Sequence, residues 1–172
     1  MKDIGEEGLP LEVLLVEDSP GDVRLTREAF RNSERHINLK VASDGVEAMA
    51  VLRREGPHVH ALRPDLILLD LNLPKMDGRE VLACIKADSG LKTIPTVVLS
   101  ASSAQVDIER SYQLQANCYF TKPVQLDEFD SLVKSITDFW LTKVKLPRPA
   151  LTDDPKIGND PVMRAAARLS AR

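Results

Sequence analysis

The chain has 172 residues, 43% hydrophobic and 28% charged, with a formal net charge of −3 and an isoelectric point near 5.7. That size and composition suit one soluble globular domain with a proper core, and the mild acidity excludes an overall basic field for nucleic acid. No run approaches the ~20 apolar residues of a membrane span, and the N-terminus MKDIGEEGLP has acids where a signal peptide needs an apolar run, so a cytoplasmic setting with no membrane contact is expected.

A polar leader at 1–8 precedes the first predicted strand, LEVLLV at 11–16, which ends in two adjacent acids, Glu17 and Asp18. Ser19-Pro20-Gly21-Asp22 reads as a helix start: Ser19 is the N-cap, Pro20 sits where its missing N–H is harmless, and Asp22 is in reach of a capping box. The helix runs to about Ser33 with Val23 and Phe30 on one face. A shorter strand, LKVA at 39–42, a turn at Asp44-Gly45 and helical periodicity over 46–54 follow. His58 and His60, in the linker at 55–64, read as solvated loop histidines for want of other metal ligands close by.

Residues 66–69, LILL, are uniformly apolar, as expected of a strand covered on both faces, and they run straight into Asp70. In open α/β sheets ligands bind in the crevice beyond the carboxyl ends of the strands. Position alone leaves open whether Asp70 is a site residue or merely caps a loop. Gly78 opens a helix whose inward positions are Val81, Leu82 and Ile85, and the strand TVVLS at 96–100 ends in the hydroxyl of Ser100. Ser102 with Gln105 three residues on resembles a capping box for a poorly amphipathic helix over about 103–116, in which Val106, Ile108, Tyr112 and Leu114 share no face. NCYF at 117–120 is the fifth strand and leads through Thr121 to Lys122-Pro123. The last helix, 125–143, carries Leu126, Phe129, Leu132, Val133, Ile136, Phe139 and Trp140 at helical spacing. Cys84 and Cys118, on a helix and a strand with no CxxC spacing, read as reduced core residues. Prolines after 146 and the alanine- and arginine-rich end mark 147–172 as a flexible tail beyond a domain at 9–146.

Strands alternating with helices predict an α/β fold: a doubly wound, five-stranded parallel sheet with helices on both faces. Four strands each deliver a polar function to their ends: the Glu17-Asp18 pair, Asp70, Ser100 and Lys122. Carboxylates converging on one crevice repel unless a cation sits between them. Hard oxygen ligands with room for water suit Mg²⁺. A lysine there is a point charge suited to a phosphoryl oxygen, and a nearby hydroxyl donates to another. Asp70 is then a nucleophile forming an aspartyl phosphate.

These residues also resemble the receiver domain of bacterial two-component response regulators, over about residues 9–144: Asp70 after an apolar strand, Glu17-Asp18, Ser100-Ala101 and Lys122-Pro123. The resemblance implies a flavodoxin-like fold of strand order 2-1-3-4-5 and phosphate taken from a sensor histidine kinase onto Asp70. It implies Mg²⁺ held by Asp18, Asp70 and the main-chain carbonyl of Asn72, with Glu17 acting partly through water, and Lys122 on the phosphoryl group across a cis peptide to Pro123. Ser100 would swing toward the phosphoryl oxygen and Tyr119 would change rotamer with it. Asn72 and Ser102 lie where the family tunes how easily water reaches the acyl phosphate.

A narrower resemblance, in EDSPGDVRLTREAF, DLNLPKMDGREVL, ANCYFTKPV and DFWLTKVKLP, is to the stand-alone regulators that partner bacterial and cyanobacterial phytochromes. It implies a phytochrome-type kinase and a homodimer through the face of the fourth helix, fifth strand and fifth helix. Tyr112, Tyr119, Phe139, Trp140 and Leu146 are the dimer candidates, although Phe139 and Trp140 could instead close the monomer's own core. The tail has room for one helix, too little for a DNA-binding output domain. On this reading the chain is not a conventional enzyme but a phosphoacceptor with Mg²⁺-dependent self-phosphorylation and autodephosphorylation chemistry. The alternative is a receiver-like binding module that is never phosphorylated. A dehalogenase-type phosphatase is a poorer match, because Asn72 stands where that class has a second aspartate.

Overall fold

The computed structural model describes residues 10–33 and 35–147. The leader at 1–8 and the tail from 148 lie outside the described residues. The elements are β1 (Leu11–Val16), α1 (Pro20–Arg31), β2 (Ile37–Ala42), α2 (Gly45–Arg53), β3 (Leu66–Leu69), α3 (Gly78–Ala87), β4 (Thr96–Ser100), α4 (Gln105–Gln113), β5 (Cys118–Thr121) and α5 (Leu126–Ile136). The five strands form one sheet in the order β2-β1-β3-β4-β5, and every pairing is parallel. Both the strand order and the alternation of strands with helices are as expected.

The uniformly apolar strands serve two cores at once, because successive side chains leave opposite faces of the sheet. Leu14, Val16, Ile67, Leu69 and Val98 pack with Met49, Leu52, Val81, Leu82 and Ile85 of α2 and α3. Val13, Leu15, Leu66, Leu68, Val97 and Leu99 pack with Phe30 of α1 and Phe129, Val133 and Ile136 of α5. Helices on both faces therefore exclude water from both sides of the three inner strands. β2 is an edge strand with alternating half-buried and exposed residues. It starts two residues earlier than predicted, because pairing of Leu11 with Ile37 continues the ladder into polar sequence.

Several local expectations need correction. α1 stops at Arg31 rather than near Ser33. α4 is shorter than the predicted span over 103–116, and Ser111 is its buried residue. The Ser102–Gln105 capping box does not form: Ala104 is the N-cap without a side-chain bond, and the Ser102 hydroxyl donates instead to Asp107 at 2.6 Å. A charged acceptor makes the stronger bond. The capping box appears instead at α3, between Asp77 and Glu80. β5 is displaced by one residue, to Cys118–Thr121, although the Asn117 amide still donates to the Thr96 carbonyl at 2.9 Å while its side chain accepts from the Thr96 amide. Cys84 and Cys118 are free thiols, only partly buried.

The last helix changes type along its length: α5 gives way to a π-helical segment, Thr137–Lys143. The extra residue per turn rotates the inward stripe, so Leu141 is buried while Phe139 is 54% exposed. Leu126, at the other end, is exposed as well. The predicted inward set holds for Phe129, Val133 and Ile136 and fails for Leu126 and Phe139. Trp140 and Leu146 are partly buried against the α1–α5 core.

Candidate functional site

The sheet register assembles the polar ends of the strands. Val16 pairs with Leu69, and the ladder runs one residue further through the Asp70 amide donating to the Val16 carbonyl at 3.0 Å. Glu17 and Asp70 are thereby set side by side just past the last apolar pair. On the other flank Ser100 pairs with Thr121, and the Lys122 amide donates to the Ser100 carbonyl at 2.7 Å. Three inner strands and one outer strand thus present Glu17, Asp70, Ser100 and Lys122 at one end of the sheet.

Carboxylate oxygens of Glu17, Asp18 and Asp70 lie within 4.8 Å of one another. Their surroundings differ: Glu17 and Asp70 are buried, whereas Asp18 is exposed. The Lys122 ammonium donates to Glu17 at 2.5 Å, to Asp22 at 2.9 Å and to Asp70 at 3.0 Å. Burial pushes the Glu17 carboxyl up to about 7, against the opposing pull of Lys122. Burial alone would lower Lys122, but the carboxylates of Glu17, Asp22 and Asp70 outweigh it and hold the ammonium above the usual lysine range. Three oxygens at this spacing, with one acid open to solvent, fit a hard divalent cation that keeps part of its water. Asp70 is further held by the Asn72 amide, which donates to its second carboxylate oxygen at 3.2 Å. Asn72 itself is exposed.

Asp22 is the residue whose place here was missed. Its amide is the one that Ser19 caps, at 3.3 Å, but its carboxylate does not return to the Ser19 amide. That amide donates to Glu17 at 3.1 Å, leaving the Asp22 carboxylate to reach Lys122. Part of the signal was available: an acid in the first turn of a helix that starts where β1 ends is near enough to the same crevice to be a candidate. The peptide between Lys122 and Pro123 corrects another expectation, since no cis peptide bond occurs among the described residues. Trans is the favoured isomer even before proline, and with it the ammonium reaches three carboxylates.

Ser100 is fully buried, and its hydroxyl accepts from the Ser102 amide at 3.2 Å. Tyr119 packs partly against the α2–α3 core, and its hydroxyl donates to the Ser102 carbonyl at 2.8 Å. Ser102 therefore stands between the two residues expected to switch. Its hydroxyl holds Asp107 of α4, which also accepts from Arg79 at 2.5 Å. Arg79 in turn bridges to Asp77 ahead of α3 at 3.2 Å. A chain of polar contacts so runs from Ser100 to the start of α3. Of the five dimer candidates, Tyr112 is 50% and Phe139 54% exposed, while Tyr119, Trp140 and Leu146 pack partly into the chain's own cores. Among the described residues no helix is long and apolar enough to cross a membrane, and His58 and His60 join no metal-ligand cluster.

Residues 13–134 match the response regulator receiver domain family. The chain is 48% identical over 142 residues to response regulator Rcp1 of Synechocystis sp., covering 83% of this chain and 97% of Rcp1. It is 36% identical over 148 residues to the probable methanogenesis regulatory protein FilR2 of Methanothrix harundinacea, covering 86% of this chain and 95% of FilR2. Among solved structures, the phosphorylated cyanobacterial phytochrome response regulator RcpA superposes with a TM-score of 0.80 at 52% identity, over 81% of this chain and all of RcpA. The Mn²⁺-bound form of Rcp1 superposes with a TM-score of 0.79 at 48% identity, over 81% of this chain and all of Rcp1.

Proposed function

The chain belongs to the response regulator receiver family, and from that membership we propose that it is a single-domain regulator that takes a phosphoryl group from a histidine kinase onto Asp70. The observation that carries the proposal is the placement of the Lys122 ammonium 3.0 Å from Asp70, beside a carboxylate trio within 4.8 Å. An Asp70 carboxylate oxygen would attack the phosphorus of a phosphohistidine. The P–N bond would break, its electron pair returning to the imidazole, which takes a proton from water. Phosphoryl transfer needs chiefly positioning and charge neutralisation. The Asn72 amide, donating to the other Asp70 oxygen, would restrict the rotation of the nucleophile, and Lys122 would contact the transferred group.

Asp18, Asp70, the main-chain carbonyl of Asn72 and, in part through water, Glu17 would hold Mg²⁺. When bound there, the ion would neutralise charge on the phosphoryl oxygens. Mg²⁺, among the hard divalent ions, fits the all-oxygen donor set and the exposed Asp18, which leaves water positions open. Ser100 would turn its hydroxyl toward the phosphoryl oxygen and give up the Ser102 amide, and Tyr119 would exchange its bond to the Ser102 carbonyl. The kinase would be of the phytochrome type, a reading supported by the likeness to a regulator described as a phytochrome response regulator. Signalling would then pass by protein contact, including a second copy docked on the face of α4, β5 and α5.

Titration with beryllofluoride and Mg²⁺, a phosphoryl mimic and its cation, tests the reading. Wild type should bind the pair and Asp70→Asn should not. Wild-type protein that binds neither would leave the receiver-like binding module in its place.

A further inference from the structure

We propose that Asp22 is a positioning residue that detains the Lys122 ammonium in the unphosphorylated protein and must release it for a phosphoryl group to be bound. The proposal rests on the reading of Asp70 as the phosphoacceptor. A lysine ammonium has three N–H donors and no more. All three are engaged here, by Glu17, Asp22 and Asp70. A phosphoryl oxygen therefore gains its contact to Lys122 only when one carboxylate gives its own up.

The environments of the three acids decide which one yields. The side chains of Glu17 and Asp70 are 3% and 8% exposed, and that of Asp22 is 32% exposed. A buried carboxylate deprived of Lys122 stays desolvated at high cost, whereas a partly exposed one recovers water; Glu17, which would reach Mg²⁺ only in part through water, keeps its need of the ammonium. Asp70 carries the new group through one oxygen and loses its carboxylate charge, while its remaining oxygen can still accept from Lys122. Asp22 also stands outside the converging trio of Glu17, Asp18 and Asp70, so a cation bound there does not hold it in place. An arriving phosphoryl group brings about two negative charges, which adds repulsion to the competition for the ammonium. The Asp22 carboxylate moreover makes no capping hydrogen bond in its own helix: the cap is made by its amide to Ser19, and the Ser19 amide is taken by Glu17.

The test compares wild type, Asp22→Asn, Asp22→Glu and Asp70→Asn by calorimetry with Mg²⁺ alone and then with Mg²⁺ and beryllofluoride, with the ¹⁹F resonance of the bound mimic as a spectroscopic check. Asp22→Asn should tighten beryllofluoride binding by about three- to tenfold, the range of a charge-assisted hydrogen bond no longer competed for. Its affinity for Mg²⁺ alone should stay level or weaken by about twofold, because a nearby negative charge has gone. A merely structural role would move both affinities the same way. Asp22→Glu should return beryllofluoride binding toward the wild-type value, and Asp22→Ser replaces the asparagine variant if that one fails to fold. If wild type binds the mimic and Asp70→Asn does not, yet the Asp22 variant binds it no more tightly than wild type, the role of Asp22 is overturned and the phosphoacceptor stands. If wild type does not bind the mimic, both fall together.

Discussion

Asp44 shows how much one side chain near the site can hold. It caps α2 by accepting from the Glu47 amide at 2.8 Å, and it accepts from Lys75 at 2.5 Å. Lys75 sits at φ 65°, in the left-handed region that non-glycine residues seldom adopt. Lys75 first, and the Glu47 amide after it, hold the Asp44 carboxyl below the usual aspartate range. A carboxyl depressed in the folded state contributes stability above its unfolded value, near 3.8, and loses it as pH falls through the folded value. Asp44→Ala should therefore cost about 1 kcal/mol at pH 7, the usual worth of such a cap, with the gap to wild type closing below about pH 4. Urea unfolding at a series of pH values measures this. A gap unchanged at pH 3 would show that the carboxylate does not carry the effect. The turn at Asp44-Gly45 was legible in the sequence, because an acid before a glycine is a local signal. Its pairing with Lys75 was not, because 31 positions separate the two.

Between β3 and α3 the loop that bears Asp70 and Asn72 folds back so tightly that it admits no side chain at its far end. A Cβ on Gly78 would lie 2.1 Å from the Asp70 carbonyl oxygen and 2.6 Å from the Leu71 Cα. Both are backbone atoms of the segment that carries the proposed nucleophile, so neither yields without moving it. Gly78→Ala should destabilise the fold by about 1–3 kcal/mol, the range of overpacking, and weaken beryllofluoride binding as Asp70 shifts. Thermal unfolding and the same titration read both effects; an alanine variant with wild-type stability and binding would mean that the loop has slack. Gly78 was read from the sequence as a helix opening, which it is. Its contact with Asp70 depends on the fold of the loop, which no periodicity records. α4 is the opposite case: its apolar residues share no face in the sequence, and in the fold Val106 and Tyr112 are exposed. The inward stripe of the last helix was legible only as far as Ile136, since helical spacing presumes 3.6 residues per turn and the π-helical segment begins at Thr137.

For the whole molecule, the proposed docking of a second copy on the face of α4, β5 and α5 needs apolar side chains left outside the chain's own cores. Tyr112 and Phe139 are each at least half exposed there, and large aromatic side chains make strong anchors at interfaces. Sedimentation or light scattering should report a dimer at micromolar protein, and Tyr112→Ala with Phe139→Ala should lower its mass toward the monomer. A monomeric wild type both with and without beryllofluoride would overturn the dimer.

The alternation of strands and helices, the parallel sheet and the polar function at four strand ends were all determined by sequence alone. Each is a local pattern: a short apolar run, a cap, a charge or hydroxyl where the run stops. The tertiary structure alone decided which acids share the Lys122 ammonium. Glu17 and Asp22 lie 105 and 100 positions from it along the chain, and a lysine's three donors are allotted by distance in space and by access of water, neither of which is written in the order of residues.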